Sequence, residues 1–345
     1  MSNSKITCPV CNAERTGDET VCQSCGFEGA YYTLFSGENA YVTWRSLVDA
    51  HKDRYVGSYY VKGFENGSEL LVTSDRVCFF DSDKSKAVMV EFMKNDPVVL
   101  DNVKKVSLSG LYRVWLYSDG SLGSSGDDES GQRRLGNIND VISIATVPQC
   151  TYYVKADGTV DSRGATPFKE AIRQWTDIKD LCCVSEHVIG IRNDNTVLYA
   201  VREGNPFENY ASEMKGWNNV KKVVATDYYS VALCYDGTVR YAGVKDKRSG
   251  CVLWNNIVDI AADGLYVVGL TQGGDVLLAG DSSSLIDFGR SQAADWHDML
   301  FIATGRSVIA GLSKTGELKI VGNVIKNDKI ADKLKTAVES NIFNG

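Results

Sequence analysis

Two pairs of thiols stand near the start of the chain, Cys8-Pro-Val-Cys11 and Cys22-Gln-Ser-Cys25, with ten residues between the pairs. Each Cys-x-x-Cys can fold into a knuckle that presents two sulfurs to one ion, and two knuckles complete a tetrahedral site for structural zinc. Both pairs fall within 18 residues, and the intervening chain is long enough to turn back as a hairpin. Residues 1–30 are therefore expected to form a zinc ribbon that holds one Zn2+ through Cys8, Cys11, Cys22 and Cys25. Four thiolates leave no open coordination position, which argues against catalysis. So short a segment has little core of its own, and metal binding would supply much of its folding free energy. Lys5 and Arg15 stand against Glu14, Asp18, Glu19 and Glu28. This acidic balance disfavours phosphate binding and favours a stabilising or protein-docking role for the ribbon.

Elsewhere the chain is poor in catalytic signatures. Histidine occurs three times, at His51, His187 and His297. No Gly-x-Ser-x-Gly, phosphate loop or His-Glu-x-x-His is present. Asp127-Asp128-Glu129 is an acidic cluster in a Gly/Ser-rich stretch, expected as a solvated turn with some capacity for a cation. The expectation is a protein that binds and does not catalyse. A net charge of −7 over 345 residues, without a basic run, disfavours nucleic acid and anionic membranes as partners. No stretch approaches the roughly 20 apolar residues of a membrane span, so a cytoplasmic location is the expectation. Six further cysteines sit in or beside apolar runs, as buried free thiols do.

The elements that would carry any site are set by a repeat. Trp175, Trp217, Trp254 and Trp296 open the similar phrases WTDIKDLC, WNNVKKVV, WNNIVDIA and WHDMLFIA, at spacings of 42, 37 and 42 residues. Nineteen residues after each comes a turn: Asp194-Asn195, Asp236-Gly237, Gly273-Gly274 and Thr315-Gly316. Counting back by the same offset from Asp157, Asp119 and Asp75 gives Ile138, Leu100 and Val56. Apolar residues recur three and six positions after these anchors, broken only at Lys62. Seven copies are thus expected from about Val56 to about Asn323. Asp-Gly between β-rich runs marks tight hairpins. The strand pattern excludes a helical solenoid, and a β-helix usually has a shorter period. A radial propeller of about 40 residues per blade fits best, and seven blades lies within the usual range.

The phrase Tyr229-Ser-Val-Ala-Leu-Cys-Tyr-Asp-Gly-Thr-Val, followed by Gly243, resembles the regulator of chromosome condensation repeat family. That likeness implies a seven-bladed propeller. The family commonly has His seven residues before the turn; here the column reads Tyr112, Cys150, His187, Tyr229, Tyr266 and Val308. Gly131-Gln132-Arg-Arg-Leu135-Gly136 is similar to the family's Gly-Gln-Leu-Gly phrase with two residues inserted. Relatives include guanine-nucleotide exchange factors and an inhibitor of a hydrolase, so the resemblance also implies those two activities as alternatives. An enzyme or small-ligand binder with a site in the central channel is a further alternative.

The expected organisation is an all-β chain: a zinc ribbon over 1–30, a helical linker over 31–54, a seven-bladed propeller over 55–323 and a C-terminal helix over 324–345. Tyr41, Trp44 and Leu47 or Val48 recur at helical spacing in the linker. Ile330, Leu334, Val338 and Ile342 form an apolar stripe in the C-terminal segment. A strand near residue 60 is expected to pair with the last blade. The four aligned tryptophans are expected to pack between blades. Recognition of another protein is assigned to the connections at about 124–137, 164–174, 202–216, 244–253 and 281–295, because loops on rigid scaffolds carry recognition. The candidate partner-binding residues are Phe207, Tyr210, Phe288, Asp127 and Asp128.

Overall fold

The computed structural model describes residues 69–322 apart from 74–75, 83, 92–96, 110–111, 285, 306 and 314–317, together with two short strands near the N-terminus. These two, β1 (Ile6–Thr7) and β2 (Glu14–Arg15), pair antiparallel with Thr7 opposite Glu14. The four zinc-ribbon cysteines lie outside the described residues. So do the expected linker helix, the strand near residue 60 and the C-terminal helix.

The described residues from Glu69 to Gly322 form seven antiparallel sheets in sequence order. The first has four strands, Glu69–Val72, Arg76–Asp81, Lys86–Glu91 and Val98–Leu100. Each of the other six has three. Their opening strands are Val103–Leu108, Val141–Val147, Ile178–Cys183, Val220–Thr226, Ile257–Ala262 and Met299–Gly305. Among the described residues helix is confined to short turns between sheets, such as α1 (Lys169–Ile172) and α2 (Glu208–Ala211).

The same local devices recur from sheet to sheet. Two residues after each anchor an Asn or Asp holds a left-handed backbone: Asn102, Asp140, Asp177, Asn219, Asn256 and Asp298. These residue types tolerate that region better than other side chains. The next residue then opens the strand by donating its N–H to the hairpin turn of the preceding sheet, as Val141 does to Gly120 (3.1 Å) and Ile257 to Gly237 (3.1 Å). Inside the hairpins, Asp119, Asp157, Asp194 and Asp236 each accept from the backbone and hydroxyl of a Ser or Thr two residues on.

This register corrects the first copy. The sequence placed its turn at Asp75 and its columns at Val56, Tyr59 and Lys62. Val103 instead donates to Ser85 (2.8 Å), and Ser85 is left-handed. The turn equivalent to Gly120 therefore lies between Arg76–Asp81 and Lys86–Glu91. Shifting the frame by eight residues puts buried Leu70 in the column that Lys62 had broken, and moves Cys78 into a middle strand.

A β-bulge interrupts the opening strand of all six later sheets between the third and fifth residues after the anchor, for example between Ile178 and Asp180. The extra residue explains why apolar side chains recur at three and six and not at strand period two. Neighbouring sheets share apolar clusters. Ile189, Trp217, Val223 and Ala232 form one, and Tyr229, Val231, Ile257 and Val267 another. The last and first sheets also pack together, with Phe301 edge-on to Phe79 at 5.7 Å. Among the described residues no strand is exchanged between them.

Candidate functional site: inter-sheet connections and the central channel

Each long connection ends in the same way. The anchor donates its N–H to the carbonyl three residues earlier: Ile138 to Leu135, Trp175 to Ile172, Trp217 to Met214, Trp254 to Cys251 and Trp296 to Ala293, at 3.0–3.1 Å. All five acceptor residues are buried. The helical turn thus pins the connection to the sheet edge and leaves the segment before it to vary.

Phe207 does not face solvent. It is buried and stacks on the His187 ring at 4.3 Å. The Pro206-Phe207 turn is clipped by Asn205, whose carboxamide oxygen accepts from the Phe207 N–H at 2.7 Å. This drives the ring into the core, where an aromatic side chain gains most from burial. Tyr210 is half-buried against the same cluster. Asp127 and Asp128 brace their own loop: the Asp127 carbonyl accepts from Gln132 Nε2 (3.2 Å), and Asp128 Oδ1 accepts from the Arg133 N–H (2.8 Å). Only Phe288 of the five is exposed. It stands with Ile286 on the connection into the seventh sheet. Val244, Val252 and Leu253 are exposed on the connection into the sixth, Leu253 by 81%. Lys247 Nζ bridges the two connections to Asp281 Oδ1 at 2.7 Å. Two consecutive connections therefore carry five exposed apolar side chains.

The column seven residues before each turn ties sheets together. The Tyr112 hydroxyl donates to the carbonyl of Cys150 in the next sheet (2.7 Å), and the Tyr229 hydroxyl to that of Tyr266 (2.8 Å). His187 Nε2 meets Ser230 Oγ at 2.9 Å. Burial pushes the His187 pKa down to about 3, so the ring is neutral. In these sheets the column is structural. Gln132 of the Gly-Gln phrase is likewise buried, and its Nε2 reaches the Pro148 carbonyl of the next sheet at 3.4 Å.

The seven opening strands surround one cavity of about 350 Å³. The fifth residue after the anchor supplies a polar collar in six of the seven sheets, of which Glu69, Lys105, Asp180 and Lys222 line the cavity itself. It reads Lys105, Ser143, Asp180, Lys222, Asp259 and Phe301 in the later sheets, with Glu69 in the corrected first frame. Lys105 Nζ donates to Asp180 Oδ1 (2.6 Å) and Ser143 Oγ (3.0 Å), reaching past the third sheet to the fourth. Lys222 Nζ donates to Asp259 Oδ1 at 2.7 Å. Both aspartates also accept the N–H of the next residue, Leu181 and Ile260 respectively, at 2.9 Å. Burial opposes the charge on Lys105 and Lys222, but Asp180 and Asp259 respectively, with Glu69 next for both, outweigh it and hold both pKa values up. The Glu69 carboxyl is pushed up by burial, against the pull of Lys105 and Lys222. In the sequence these residues are masked by the apolar columns on either side of them. A charged residue between two apolar columns was the available signal.

No protein-family model matches the chain, and no curated protein matches it. Solved structures do. Yeast RCC1 (Prp20), in its complex with Kap60, is 12% identical and superposes with a TM-score of 0.54 over 76% of this chain and 86% of that one. The CRINKLY WD40 ectodomain of the Arabidopsis thaliana receptor kinase ACR4 is 13% identical, with a TM-score of 0.54 over 75% and 98%. The ectodomain of the Physcomitrella patens receptor kinase CR4 is 11% identical, with a TM-score of 0.50 over 75% and 73%. The fold is β-propeller-like. At this identity the likeness concerns architecture alone, so each sheet corresponds to a blade and no activity follows. Among the described residues no helix is long and apolar enough to cross a membrane.

Proposed function

We propose that the chain is a non-catalytic protein-interaction propeller of the chromosome-condensation repeat type, seven-bladed, with a four-cysteine zinc ribbon as a second docking element. The observation that carries this reading is the set of exposed apolar residues Val244, Val252, Leu253, Ile286 and Phe288 on two bridged connections. Apolar side chains held outward on a rigid frame favour association with another protein surface. The similar yeast structure is itself a complex with a protein, Kap60, which supports the same use of this architecture.

For the ribbon, the support is the donor set and the backbone around it. Cys8 and Cys11 fall in sequence between the paired strands β1 and β2, as a knuckle in a ribbon hairpin does. Cys8, Cys11, Cys22 and Cys25 would hold the ion, which would supply folding free energy and no reaction step. The partner is proposed to be met inside the cell, where thiolate zinc sites are common and disulfides are rare.

The test is affinity capture with the wild-type chain and with Leu253→Ser/Phe288→Ser, followed by mass spectrometry. Loss of a captured protein at unchanged thermal midpoint supports the assignment. Identical capture by both would remove these connections as the docking face.

A further inference from the structure

The collar of the central channel has one carboxyl group that no side chain bonds directly among the described residues. Lys105 is taken by Asp180 and Ser143, and Lys222 by Asp259. Both lysines are thus directed at acids of the collar. Glu69 faces the same cavity and makes no hydrogen bond or ion pair among the described residues. Three carboxyl groups stand against two ammonium groups, so the collar carries one surplus negative charge when Glu69 is ionised. A buried carboxylate loses hydration, and Lys105 and Lys222, each bonded to an aspartate, recover only part of that loss. The cavity volume of about 350 Å³ lies in the range of small-ligand sites, roughly 300–1,000 Å³. Beside the collar the small apolar residues Ala145, Val224, Ala225 and Ala303 alternate with Ser107, Thr146 and Thr304, and the apolar ones can receive a short alkyl chain behind a charged head.

We propose that the central channel binds an alkylammonium group, with the Glu69 carboxylate as its counter-ion and the small apolar residues beside it receiving the carbon chain. Such a head could come from a free amine or from a lysine side chain of a bound protein; the chemistry is the same. This site is separate from the apolar connections between the fifth, sixth and seventh blades. Lys105, Lys222, Asp180, Asp259 and, on its own blade, Cys78 are the titratable groups that act on Glu69 from the surrounding strands. Glu69 is pushed toward its protonated form by burial, so an arriving cation should release a proton.

The experiment titrates the full chain by calorimetry with 1,4-diaminobutane and, separately, with a blocked Ala-Lys-Ala peptide. The same peptide with acetylated lysine is the control. One site per chain is expected for at least one of the two amines, with no heat from the acetyl form. Affinity should rise with pH as Glu69 ionises, above the ordinary carboxylate range because burial raises its pKa, and then level off. Glu69→Gln should weaken binding at least tenfold while the thermal midpoint stays level or rises, because an unpaired carboxylate is removed. Ala225→Leu narrows the cavity without altering its charge and should also abolish binding. Stronger binding of the diamine points to a small molecule, and stronger binding of the peptide to a protein; both outcomes support the site. Absence of binding by either amine, equal affinity in Glu69→Gln, or a preference for inorganic phosphate would overturn it.

Discussion

Trp254 lies flat against the bare α-carbon of Gly269, so closely that a Cβ there would stand 2.7 Å from Trp254 Cζ3. The two residues are 15 apart, and the pairing repeats. Trp175 meets Gly190 and Trp296 meets Gly311, with Trp217 and Ala232 in one cluster. In the third sheet the sizes are reversed, with Ile138 as the anchor and Tyr153 in the strand. The site conserves volume, not residue type, as close-packed interiors require. Gly269→Tyr should therefore destabilise by at least ~2 kcal/mol through overpacking, and Trp254→Ile by about 2–4 kcal/mol through the cavity. Trp254→Ile/Gly269→Tyr, which copies the third sheet, should recover much of both losses. Urea unfolding of the four proteins gives the coupling energy, and simple additivity would contradict the pairing.

Tyr229 joins the fifth sheet to the sixth by one hydroxyl, which reaches the carbonyls of Tyr266 and Asp263. Removing only that oxygen in Tyr229→Phe takes the hydroxyl donor from the buried Asp263 carbonyl, while the Tyr266 carbonyl keeps the Asp263 N–H at 3.0 Å. A loss of about 1–3 kcal/mol is expected. The control is Tyr228→Phe, next in sequence but exposed, which should shift the urea midpoint by far less.

His187 sets a pH dependence. Its folded-state pKa of about 3 lies well below the ordinary value of 6.5, because burial disfavours the imidazolium. The folded chain therefore binds fewer protons here than the unfolded chain. The contribution is complete above about pH 6.5 and is lost as pH falls from there toward 3. Its full size is on the order of a few kcal/mol. His187→Gln, which keeps a polar group toward Ser230, should be less stable at neutral pH and show a shallower decline between pH 6.5 and pH 4. Parallel declines in both proteins would show that His187 does not carry the acid sensitivity.

Zinc should co-purify at about one ion per chain if four thiolates close one site. Cys22→Ser/Cys25→Ser should reduce the metal content, measured by inductively coupled plasma mass spectrometry, to background. Unfolding of the seven sheets should be little altered, because they have their own apolar clusters. Full zinc content in the double variant would assign the metal to other ligands.

Much of the fold was legible because it is written repeatedly. The tryptophan spacing, the Asp-Gly turns and the two apolar columns marked the opening strands and hairpins of the last six sheets. The first copy was misplaced by eight residues because it has neither the Trp nor the Asp-Gly turn; Ser85 bends left-handed in their stead. The partner residues were read less well. Phe207 and Phe288 both sit in connections rich in polar residues, and sequence gives no sign that one turns inward onto His187 while the other is 51% exposed.

The sequence by itself determined what is local and periodic: strand, turn and bulge chemistry recur within about 40 residues and need no distant partner to be recognised. Only the tertiary structure decided which side chains from different sheets meet. Lys105 finds Asp180 from 75 residues away, while Glu69, in the same collar, feels Lys105 and Lys222 but bonds neither among the described residues. That outcome depends on how seven strands converge around one space, a geometric relation that no single repeat contains.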